Sequence, residues 1–296
     1  MKKVTIPSFI RIIDPFAFHS CRSLVKVTFT SDSKLERIGQ NAFEFTKINE
    51  VIFPSHLTQI GQFAFNRCTS LHYIEFTSNS ELVTISKNAF NYTNLRFALI
   101  PSNVVKMSEN AFVNNKIDKL EFSKHSKLKK IEKFAFLSCK FERICMPSSV
   151  VIIEKGSFAS CSHLSEVVFK EKSNLEYIEV KSFINNKMIR SIIIPSNVVC
   201  IDEYAFCDCK NLVKVSFDCG SKLEKIGSYA FRDTAVVSIS LPSNVSFIDR
   251  NAFCNCKKLF FVEINQKTAI YSLIDIFGYR KHFILFVPAK KIIVYE

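Results

Sequence analysis

Tryptophan is absent from the 296 residues, methionine occurs four times and glycine only six times. So sparse a glycine supply builds no phosphate-cradling loop: neither G-x-G-x-x-G nor a P-loop is present, and H-E-x-x-H and G-x-S-x-G are missing as well. No apolar run nears the roughly 18 residues that span a bilayer. The opening Met1-Lys2-Lys3-Val4-Thr5-Ile6-Pro7 lacks a long apolar stretch, and Asp14 and Pro15 interrupt the residues after it, so no secretory signal is evident. The six histidines, His19, His56, His72, His125, His163 and His282, are scattered without an i, i+4 pair that could hold a metal. Acidic residues are in the minority, 27 against 40 Lys and Arg, for a formal net charge of +13. The expectation is a folded, basic, non-enzymatic chain with no cofactor and no membrane span.

What the chain does have is phenylalanine, 30 residues, and cysteine, 11. An Ala-Phe or Ser-Phe pair places Phe at 18, 43, 65, 90, 112, 136, 158, 183, 206, 231 and 253. The gaps alternate between 24–25 and 22–23 residues, and a weaker twelfth copy falls at Ile276-Phe277. Proline confirms a double unit of about 47 residues: Pro7, Pro54, Pro101, Pro147, Pro195, Pro242 and Pro288 each close a short apolar run. Proline removes a ladder donor and fixes φ, which suits a strand end and a corner. Alternate coils carry a longer polar loop there instead, such as Thr30-Ser31-Asp32-Ser33-Lys34. A period of 20–29 residues is the mark of a leucine-rich-repeat solenoid, in which stacked coils bury one another.

Within a coil, Leu24-Val27-Phe29 and Leu71-Ile74-Phe76 have strand period. Leu35-Ile38-Ala42-Phe43 and Leu223-Ile226-Ala230-Phe231 space their apolar residues three and four apart, which predicts short helical or 3₁₀ turns. The full template, L-x-x-I-x-x-x-A-F-x-x-C-x-x-L-x-x-V-x-F alternating with I-P-S-x-V-x-x-I, closely resembles the BspA-like leucine-rich repeats over nearly the whole chain. That resemblance implies a single right-handed solenoid domain over 1–296. About twelve coils are expected, regular over about 4–265 and degenerate over about 266–296. It also implies surface or secreted proteins of bacteria and parasitic protozoa that bind host or matrix proteins. The missing signal and anchor point instead to a cytoplasmic location.

Most cysteines fit the repeat. Cys21, Cys68, Cys139, Cys161, Cys209 and Cys256 lie three residues after the repeat Phe, where other coils hold Thr46, Thr93, Asn115, Asn186 and Thr234. Such a slot is a small, buried, weakly polar ladder position. Cys207-Asp208-Cys209 and Cys254-Asn255-Cys256 could supply four thiolates to zinc. The coil around Phe231 separates them by roughly 10 Å, too far for one tetrahedral site.

The positive charge is local. Residues 1–37, 116–143 and 280–296 carry 12 of the 13 excess charges, and Lys124, Lys127, Lys129, Lys130 and Lys133 form the densest cluster. An acidic protein, an anionic glycan or lipid headgroups are its natural partners. Nucleic acid is disfavoured because the aromatics are committed to the interior. On the strand face, Tyr73, Glu75, Phe97, Leu99, Lys119, Glu121 and Arg143 are the predicted outward residues that best fit a protein partner. The function expected is partner binding or adhesion through this face. The alternative is an intracellular scaffold, or part of a longer array, that takes acidic partners.

Overall fold

The computed structural model describes residues 1–264 and the strands Ala269–Ile270, Phe283–Phe286 and Ile293–Tyr295. Two compact units comprise Met1–Ile144 and Cys145–Glu296. Both are parallel β-solenoid, about eleven turns in all. The weak twelfth copy, Ile276-Phe277, lies outside the described residues, as do Pro288 and His282.

Each coil contributes one long strand, a corner, a two-residue strand and a pair of tight turns. In the first unit the short strands Ile12–Ile13, Arg37–Ile38, Gln59–Ile60, Thr84–Ile85, Lys106–Met107 and Lys130–Ile131 pair in parallel, one coil to the next. Their second residues, Ile13, Ile38, Ile60, Ile85, Met107 and Ile131, form a buried column. The second unit repeats this from Ile152–Ile153 through Tyr177–Ile178, Cys200–Ile201, Lys225–Ile226 and Phe247–Ile248 to Ala269–Ile270. Each coil alone has too little interior to hold itself, so this register is what creates the core.

The repeat phenylalanines stack along the interior. Phe18, Phe43, Phe65, Phe90, Phe112 and Phe136 have successive centroids 5.1–5.6 Å apart with near-parallel rings. Phe158, Phe183, Phe206, Phe231 and Phe253 do the same at 5.3–5.5 Å. Such spacing lies in the favourable range for aromatic pairs, about 4.5–7 Å between centroids.

The predicted helical or 3₁₀ turns do not form: the described residues contain no helix. The reason is backbone chirality. In all eleven coils the residues two before and two after the repeat Phe have positive φ, as at Asn41 and Phe45 around Phe43, or Asn110 and Asn114 around Phe112. A left-handed residue ends a right-handed helix, and two of them fold each apolar segment into consecutive turns. Asn and Asp tolerate this region best, and they occupy Asn41, Asn88, Asn110, Asn114, Asn185, Asp208, Asp233, Asn251 and Asn255. Phe16, Phe45, Tyr92, Tyr204 and Tyr229 adopt it despite their bulk.

In the first unit the long strands pair two by two. Lys3–Ile6 pairs with Lys26–Phe29, Glu50–Phe53 with Tyr73–Phe76, and Phe97–Ile100 with Lys119–Phe122, all in parallel over four residues. In the second unit Ser191–Ile194 and Lys214–Phe217 pair over four residues, and the sheet runs on through Ser238–Ser240, Phe261–Glu263 and Phe283–Phe286 to the antiparallel Ile293–Tyr295. Between the pairs of the first unit the ladder lapses, and the prolines account for it. The residue after the second strand of a pair donates back, as Ser123 N does to the Ile100 carbonyl at 2.9 Å. At the next junction that place is taken by Pro54 or Pro101, which have no N–H to give.

Candidate partner-binding face

Strand alternation decides which side chains face out. In Glu50–Phe53 and Tyr73–Phe76 the second and fourth residues are buried, leaving Glu50, Ile52, Tyr73 and Glu75 on the outer face. Lys26 Nζ lies 3.0 Å from Glu50 Oε1, and Glu50 stands opposite Tyr73 in the register. The Tyr73 hydroxyl donates to Glu75 Oε2 at 2.9 Å, and that hydrogen bond to a carboxylate pushes the phenol's pKa up.

Phe97 and Leu99 occupy the equivalent places one strand pair further on, opposite Lys119 and Glu121. The Lys119 ammonium sits 5.7 Å from the Phe97 ring centre and 2.8 Å from Glu121. Ala98 and Ile100, which alternate with Phe97 and Leu99, are fully buried and fix the outward pair on a rigid backbone. Arg143 is exposed at the start of Arg143–Met146. The geometry thus gives two small clusters, Lys26–Glu50–Tyr73–Glu75 and Phe97–Leu99–Lys119–Glu121. The first bridges the pair ending in Lys26–Phe29 and the pair Glu50–Phe53 with Tyr73–Phe76; the second lies on Phe97–Ile100 and Lys119–Phe122.

The lysine cluster is distributed around a single coil. Lys124 and Lys127 lie in the loop after Lys119–Phe122, where His125 takes positive φ and Lys127 Nζ donates to Asn103 Oδ1 at 2.9 Å. Lys129 and Lys130 flank or enter the short strand, with Leu128 buried between the loop and them. Lys133 belongs to the turn before Phe136. Around the next corner the short-strand residue Lys106 pairs with Glu132 at 3.4 Å.

The cysteine slot does backbone work. Cys68, Cys139, Cys209 and Cys256 are buried, and their thiols donate to the carbonyls of Phe43, Phe112, Phe183 and Phe231 at 2.9–3.3 Å. Asn115 and Asn186 span the same gap, each donating to two Phe carbonyls. Burial pushes the Cys68 and Cys209 thiols up to about 12. None of the eleven cysteines is in a disulfide. Around Cys207 a different grouping occurs, because its Sγ and carboxylate oxygens of Asp208 and Asp233 lie within 4.8 Å of one another. Arg232 Nε already donates to Asp233 there at 2.9 Å.

One surface cluster escapes a reading confined to strand faces. At the left-handed position after the repeat Phe, Arg67 stacks between Phe45 and Tyr92, its guanidinium carbon 5.9 and 5.0 Å from their ring centres. His19 meets Phe16 and Phe45 edge-on and lies 3.5 Å from the Glu44 carboxylate. The signal was available in the column two residues after each repeat Phe, where Phe45, Arg67 and Tyr92 succeed one another.

No helix among the described residues is long and apolar enough to cross a membrane. Among solved structures, a leucine-rich repeat protein from Bacteroides ovatus is similar at 20% identity, with 97% of this chain and 83% of that one covered and a TM-score of 0.70. The pneumococcal vaccine antigen PcpA is similar at 19% identity, with 98% and 74% covered and a TM-score of 0.54. A leucine-rich repeat protein from Eubacterium ventriosum gives 18% identity, 92% and 78% coverage and a TM-score of 0.55. No curated protein matches the chain. The BspA type leucine rich repeat region matches in six copies over residues 1–118, 83–213 and 129–260, and the chain belongs to that family.

Proposed function

We propose that this chain is a non-enzymatic binding module whose long-strand face takes a protein partner in a cell-surface or host-interaction setting. The observation that carries the reading is the exposure of Tyr73 and Leu99, each 37%, beside half-buried Phe97 on strands whose alternate residues are buried. Rigid, partly exposed aromatic and aliphatic side chains ringed by charge have the composition of binding hot spots. Glu75, Lys119, Glu121 and Arg143 provide that ring. Membership of a repeat family that works by binding supports the reading, and so does likeness to a bacterial antigen. Phe97→Ala combined with Tyr73→Ala is expected to abolish capture of the partner while leaving the thermal midpoint unchanged. Loss of folding would show the rings to be structural, and unchanged capture would remove the face from the reading. Protease shaving of intact cells tests the setting, since a protected chain cannot act at the surface.

Lys124 and Lys129 are exposed and support a second reading, a scaffold for acidic partners joined by Lys127, Lys130 and Lys133. Binding of that kind weakens steeply with salt. A partner held by the aromatic face does not.

A further inference from the structure

Between Lys214–Phe217 and Ser238–Ser240 the long-strand ladder opens into a cleft. Lys214–Phe217 and Ser238–Ser240 share a single register pair, Lys214 with Ser238. Beyond it the strands part, and Leu241 N donates forward to the Glu263 carbonyl at 2.9 Å instead of back. The opening between them has a volume of about 560 Å³, inside the range of about 300–1,000 Å³ usual for small-ligand sites. Lys214, Ser216, Phe217, Asp218, Ser238 and Ser240 line it.

This lining sets the cleft apart from other junctions within the two units. Between Lys26–Phe29 and Glu50–Phe53 the outer face includes Ile52 and a Lys26–Glu50 ion pair. Between Tyr73–Phe76 and Phe97–Ile100 it includes Phe97 and Leu99, and between Glu166–Phe169 and Ser191–Ile194 it includes Val168 and Ile193. At the cleft the four outward side chains are Lys214, Ser216, Ser238 and Ser240. None of these side chains, nor the Asp218 carboxylate, has a hydrogen-bond or ion-pair partner among the described residues.

We infer that this cleft binds a short, neutral saccharide. Three serine hydroxyls each donate and accept, an ammonium donates and a carboxylate accepts, which matches the alternating donors and acceptors of a polyol. Half-buried Phe217 lines the wall beside them. Lys214 and Asp218 offset one another, so the site has no excess charge to select a phosphate. The closure at Lys214 and Ser238 stops an extended peptide from running through, whereas strand addition needs an open sheet edge.

The test is titration of the full chain with lactose, maltose, chitobiose and glucose 6-phosphate, read by amide NMR and calorimetry. At least one neutral disaccharide is expected to shift the amides of Ser216, Ser238 and Ser240. Ser216→Leu and Ser240→Leu alter outward side chains only, and each is expected to weaken that sugar by about tenfold, the equivalent of one lost hydrogen bond. The Tyr73→Ala/Phe97→Ala protein should bind the sugar as the parent does, which separates this site from the protein-binding face. The inference is overturned if no disaccharide shifts these amides, if glucose 6-phosphate is preferred, or if the leucine variants, folded with the parental midpoint, bind equally well.

Discussion

The Cys68 thiol donates to the Phe43 carbonyl of the preceding coil at 3.0 Å, and both residues are fully buried. That carbonyl already accepts from Thr46 N at 3.2 Å within its own turn, so the thiol supplies its second donor from the next coil. The same buried thiol can ionise only at great cost, which has a consequence for pH. An unfolded thiol titrates near 9.0, whereas burial moves Cys68 to about 12. Its raised pKa contributes stability that is fully present below pH 9.0 and is lost as pH rises toward about 12. Denaturant melts across that window should show the loss, and Cys68→Ala with Cys209→Ala should flatten it. Alkylation should reach exposed Cys145 and Cys219 at once and Cys68 only on unfolding.

Phe112 lies between Phe90 and Phe136, with centroids 5.2 and 5.6 Å away. Phe112→Ala removes a ring from a column that cannot collapse around the gap, and the expected loss is about 3–5 kcal/mol. Phe97→Ala, on the outer face, should cost well under that. Urea midpoints of the two variants make the comparison directly.

Gly61 comes directly after the short strand Gln59–Ile60, and an added Cβ would come within 2.7 Å of the Gly39 carbon and the Ile38 oxygen. These are backbone atoms of the neighbouring coil and cannot swing away. Gly61→Ala is therefore expected to lower stability by about 1–3 kcal/mol through overpacking. A midpoint equal to the parent's would mean the coils separate freely at that corner.

Asn114 is exposed, has φ of +56° and makes no side-chain hydrogen bond among the described residues. Only its backbone preference is at stake, so Asn114→Ala should cost about 1 kcal/mol and Asn114→Gly close to nothing. Equal losses in both variants would show that the side chain, not the left-handed turn, matters there. Thermal melts of the pair decide it.

Whether a feature was legible in the sequence depended on whether its interactions repeat. The Phe column, the proline spacing and the Cys/Thr/Asn slot are imposed on every coil, and periodicity alone exposes them. Strand alternation likewise placed Tyr73, Glu75, Phe97 and Leu99 outward. The turns were misread because spacings of three and four also arise where a chain doubles back. The asparagines at 41, 88, 110 and 251 were the sign of that. The Arg67 stack between Phe45 and Tyr92 is confined to three coils, and the opening beside Ser238 depends on how far two strands diverge. Neither leaves a periodic trace.

The pairing of long strands in twos has a mechanical consequence. Within the first unit, neighbouring coils are coupled alternately by two ladders, long and short, or chiefly by the short one. Stress along that unit then concentrates at every second junction, which opens like a book along its short-strand spine. The elementary step of fraying becomes the double coil of about 47 residues rather than the single turn.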